Sequence, residues 1–98
     1  CIIGDVKTVT VGELAKNQYI VNVWTEKNVY NIFYSYKSLI ICLKNGHIER
    51  IGKNWNYSKT TSKYRNIFCC WDKTIQKYIS EKMTYCPDIE QYVLKGDE

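Results

Sequence analysis

The sequence predicts an α+β domain: a small twisted antiparallel sheet of three to five strands, followed by two or three helices packed on one face. Three observations carry this expectation. The first half holds short runs rich in Val, Ile, Tyr and Trp with near-alternation of apolar and polar residues. Two of those runs are separated by Asn45-Gly46. After Ser58 the apolar residues recur at three and four positions, the period of a helix. Strands first and helices after is the order of an α+β chain. The 98 residues make a single domain, 1–98, divided into a sheet-forming half, 1–57, and a helical half, 58–98.

VKTVTV, up to Val11, alternates as a short strand. Thr10 and Glu13 have capping-box spacing, which predicts one helical turn over Val11–Lys16. Gln18–Thr25 and Val29–Tyr34 read as two strands joined through the polar link Glu26-Lys27-Asn28. Ser38–Leu43 and His47–Ile51 flank Asn45-Gly46, whose two residues tolerate the positive φ of a tight hairpin turn. Gly52 ends that pattern, and Asn54–Tyr57 is read as a further short strand.

Tyr64, Ile67, Phe68 and Trp71 then fall on one face of a helix and are expected in the core. Ser58 or Thr60 is positioned to cap it. Asp72 is the expected N-cap of a second helix over Lys73–Lys82. Pro87 suits the first turn of a last short helix with Ile89, Tyr92 and Val93 as its apolar side.

Nine Tyr, three Trp and two Phe are more aromatic surface than a chain this short can hide, so several rings should reach the outside. Exposed aromatics are enriched in interfaces. No apolar run approaches the roughly 18 residues of a membrane span, and the start CIIGDVK lacks the basic-then-apolar order of a signal peptide. A cytoplasmic protein without membrane contact is the expectation. The five Cys are scattered, with no CxxC spacing, and there is one His. That pattern argues against a zinc site and for reduced thiols, with no metal and no cofactor.

Charge is uneven. Residues 53–82 carry seven basic groups against two acidic ones, whereas the stretch after 82 is acidic. Within KNWNYSKTTSKYR the cations Lys59, Lys63 and Arg65 interleave with Trp55 and Tyr57, beside the hydroxyls of Ser58, Thr60, Thr61 and Ser62. Cations hold phosphates or acidic surfaces, and aromatics stack on bases or anchor in pockets. Trp55, Tyr57, Lys59, Lys63 and Arg65 are therefore the candidate partner-binding residues. The same segment has an ordinary structural reading, in which the aromatics are core and the lysines a solvated face.

Catalysis finds less support. His47 and Glu49 share one strand face but have no nucleophile or second carboxylate at a telling spacing. Cys1 as an N-terminal nucleophile and the adjacent Cys69-Cys70 as a redox pair lack supporting residues. The glycines are dispersed, with no phosphate-binding loop. The chain is not expected to be an enzyme.

Tyr34-Ser35-Tyr36, the hairpin after it, and Trp55-Asn56-Tyr57-Ser58-Lys59-Thr60-Thr61-Ser62-Lys63 leading into a helix form a recognisable series. Over Tyr34–Phe68 the chain resembles a family of short proteins from phages and other mobile elements of Gram-positive bacteria, with a "YSY", hairpin, "WxYSxTTxK" pattern. The run Cys69-Cys70-Trp71 and the acidic tail after Pro87 depart from it. The resemblance implies a mobile-element origin and no set activity. Proteins of this kind often inhibit host defence, as anti-CRISPR proteins do. The expected function is thus to bind and inhibit or modulate a host protein or nucleoprotein. A small basic nucleic-acid-binding regulator is the alternative.

Overall fold

The computed structural model describes residues 6–69 and 71–95. Its seven strands form one antiparallel sheet: β1 (Val6–Ala15), β2 (Gln18–Thr25), β3 (Val29–Ser35), β4 (Ser38–Lys44), β5 (His47–Gly52), β6 (Met83–Cys86) and β7 (Gln91–Leu94). Two helices, α1 (Lys59–Phe68) and α2 (Asp72–Lys82), intervene between β5 and β6. The strand order is β1-β2-β3-β4-β5-β7-β6, a five-strand meander to which the last hairpin returns. The α+β class stands, but the sheet is larger than three to five strands.

The meander follows local turn chemistry. Asn45 and Gly46 both take positive φ, 52° and 85°, as the hairpin between β4 and β5 requires. Asn45 also accepts from the Val29 amide at 2.9 Å and donates to Asn28 Oδ1 at 2.9 Å, locking this turn against the start of β3. Between β3 and β4, Tyr36 and Lys37 both lie in the left-handed region with neither Gly nor Asn to ease it.

Four expectations are overturned. The helical turn over Val11–Lys16 is absent, because Glu13 pairs with Tyr19 and the ladder to β2 outweighs an isolated capping-box spacing. Asn54–Tyr57 is a turn, its amides used in short-range bonds such as Tyr57 N to Asn54 O at 3.0 Å. Among the described residues there is no third helix after Pro87. Pro87 opens a turn instead, and Tyr92 and Val93 belong to β7, paired with Ile51 and Arg50 of β5. Met83–Cys86, within the half expected to be helical, is β6. The half after 58 is therefore not purely helical. β7 adds next to Gly52, where a Cβ would stand 1.8 Å from the Leu39 carbonyl oxygen, so only glycine admits the approach of β4.

The main core lies between the sheet and the helices. Phe33, Ile41, Ile48 and Ile51 from the sheet meet Ile75, with Tyr64, Phe68, Tyr78 and Ile79 packed at its margin. Phe68 stacks on Phe33 at 5.7 Å between ring centroids. The Tyr78 hydroxyl donates to the Ile48 carbonyl at 3.1 Å. A second cluster of Val23, Tyr30, Ile32 and Cys42 occupies the opposite sheet face. No helix among the described residues is long and apolar enough to cross a membrane.

Candidate interface on helix α1

α1 begins where Ser58 caps it: the Ser58 hydroxyl accepts from the Thr61 amide at 3.1 Å. It ends at Phe68, with the Cys69 amide bonded to the Arg65 carbonyl at 2.8 Å. The helix therefore stops three residues short of Trp71, and the apolar stripe Tyr64/Ile67/Phe68/Trp71 is not one helix face. The inward stripe is instead Thr61, Tyr64, Arg65 and Phe68. Ile67 is 64% exposed and Trp71 is 70% exposed, which corrects their assignment to the core.

The inward face is polar at its centre because each polar group there is satisfied. Arg65 is fully buried. Its guanidinium donates to the Trp55 carbonyl at 2.6 Å and to Asn66 Oδ1 at 2.9 Å, and it pairs with the Asp72 carboxylate. The Trp55 ring lies 5.3 Å beneath it, a cation–π contact. Burial pulls the Arg65 pKa below its ordinary value. Thr61, also buried, bonds Ser35 Oγ at 3.0 Å. Asp72 is the first residue of α2 rather than its cap, and the position before it belongs to Trp71.

The five candidate residues thus separate. Trp55 and Arg65 come together inside the molecule, where they join the loop, α1 and α2. Tyr57 stays outside, 68% exposed, at a small hollow with Tyr36, Asn54 and Thr61 at the start of α1. Lys59 and Lys63 line an open groove along the outer face of α1, with Ser62, Asn66, Ile67 and Trp71. The spacing 59, 62, 63, 66, 67 is the stripe opposite the buried one. Ile67 and Trp71 were missed because apolar residues at i, i+3, i+4 and i+7 read as core. The signal against that reading was Asp72: a helix starting there leaves Trp71 in the joint between helices.

Elsewhere, His47 is exposed beside the Asn45-Gly46 turn, while Glu49 Oε2 faces Cys42 Sγ at 4.0 Å. Burial, then the Glu49 charge, push the Cys42 thiol up to about 11, so it is protonated at neutral pH. Cys86 is free, whereas Cys69 is disulfide-bonded, which corrects the expectation of reduced thiols at that position. Cys1 and Cys70 lie outside the described residues. Among the described residues no group of three or more His, Cys, Asp or Glu is placed to hold a metal ion.

Residues 6–85 match the model of DUF8033, a family of unknown function, and the chain belongs to that family. The match runs from β1 into β6 and includes both helices. No curated protein and no solved structure matches the chain.

Proposed function

We propose that this member of DUF8033 is a non-enzymatic binding protein of a phage or other mobile element. It acts in the cytoplasm of a bacterial host and inhibits or modulates a host factor, a defence protein in the manner of an anti-CRISPR. One observation supports the binding role above all others: Ile67 and Trp71 are exposed together in one groove with Lys59 and Lys63. A bare Trp beside a bare Ile is a costly surface for an unpartnered protein, and aromatic anchors are enriched in interface centres. Two flanking lysines favour an acidic rim on the partner and steer its approach. The mobile-element setting rests on the Tyr34–Phe68 motif series.

A nucleic-acid-binding regulator is the second reading, favoured by the same mixture of cations and an aromatic ring in one groove. It is the weaker one, because Arg65 is committed to Asp72 and Trp55 and leaves that groove two lysines. So small a set of phosphate contacts gives little affinity. The experiment is affinity capture from lysate of a Gram-positive host, with and without nuclease, over a salt series. Retention of one host protein after nuclease and at moderate salt is expected. Loss of all binding with nuclease, and a steep fall with salt, would overturn the protein-binding reading in favour of the regulator.

A further inference from the structure

The two edges of the sheet are built differently. β6 is four residues long and runs directly into Pro87, and both features blunt an edge against pairing. β1 is ten residues long, contains no proline, and pairs only with β2 among the described strands. Its ladder is regular from Thr8 to Glu13, and Thr8–Gly12 carries no charge. Val9 and Val11 share a sheet face and are 52% and 66% exposed. A regular, uncharged central stretch of edge with exposed β-branched residues is a template for another strand, although the strand is irregular at each end of it.

We propose that β1 pairs with β1 of a second copy of this chain, antiparallel about a two-fold axis at Thr10, joining two sheets edge to edge. The charges select the occupant and the register. A two-fold normal to the sheet matches residues of one face with residues of the same face. Centred on Thr10, it sets Val9 of each copy opposite Val11 of the other, and Thr8 opposite Gly12, all within the regular part of the ladder. It also brings Lys7 of each copy, at the irregularity just before the regular ladder, beside Glu13 of the other, two opposite-charge pairs per dimer. Sliding the register by two in either direction puts Lys7 opposite Val11 or Ala15 instead. Lys7 already stands 3.9 Å from Glu26 of its own chain, so its ammonium would sit between two carboxylates. The α1 groove plays no part in this pairing.

Sedimentation equilibrium of the full chain across the micromolar to millimolar range tests it. The wild type is expected to dimerise. Lys7→Glu and Glu13→Lys, both at exposed positions, should each weaken the dimer by about fivefold or more by placing like charges opposite one another. An equimolar mixture of the two variants should recover wild-type strength as a heterodimer, since every introduced charge then faces its opposite. A wild type that stays monomeric throughout overturns the proposal and leaves β1 to an extended segment of another protein. A dimer indifferent to both substitutions, or variants that do not recover on mixing, overturns it as well.

Discussion

Arg65 and Lys63 stand two residues apart on one helix, yet they belong to different parts of the molecule. Arg65 faces inward, with its guanidinium shared among Trp55, Asn66 and Asp72. Lys63 faces outward, its ammonium 5.4 Å from the Tyr64 ring and its stem in the groove with Ile67 and Trp71. The apolar residues show the reverse of the usual sorting. Thr61 is buried while Ile67 and Trp71 are exposed. Residue type alone therefore does not say which side of α1 holds the fold and which side is left for a partner. Planar donor geometry suits Arg for a buried joint in a way that Lys cannot match.

Removing the joint should give the largest effect. Arg65→Ala takes the donor from the Trp55 carbonyl and the partner from Asp72, which is half exposed and so partly relieved by water. The expected cost is about 3 kcal/mol, at the lower end of the range for breaking a buried ion pair, read as a fall in denaturant midpoint. Arg65→Lys should recover only part of it, because an ammonium cannot reach all three acceptors at once. Phe68→Ala comes next. Phe68 is only partly buried but stacks on Phe33, so about 2–3 kcal/mol is expected in the same measurement. Ser58→Ala removes the cap at the start of the helix and should cost about 1 kcal/mol. A cost for Ser58→Ala as large as that for Arg65→Ala would break the distinction between a terminal cap and a central joint.

The sheet was more legible than this helix, for a physical reason. β2 to β5 are written in local signals: period-two alternation, short polar links, and Asn45-Gly46 with both residues at positive φ. β6 and β7 have no such signal. Each is four residues long, MTYC and QYVL; β7 becomes a strand by adding to β5 beside Gly52, and β6 by pairing in turn with β7. The start of β1 read as a strand, but its end did not, since pairing with β2 extends it past the capping-box spacing. On α1 the presence of a helix was legible and its rotation was not. Burying Arg65 depends on Asp72 and Trp55, which are distant from it in the sequence pattern though near in space.

The smallest stability effect is expected on the outer face. Ile67→Ser/Trp71→Ala should leave the denaturant midpoint within about 0.5 kcal/mol of wild type, as for other exposed positions. The same double variant gives the most direct test of the binding role when it is used as bait beside the wild type in nuclease-treated host lysate. The account predicts that the variant stays as stable as wild type and retains the captured host protein at least about tenfold less well, the loss of roughly 1.4 kcal/mol that truncated interface anchors commonly exceed. A folded variant that captures the same protein with undiminished strength would contradict it, because the partner would then dock somewhere other than the groove on α1.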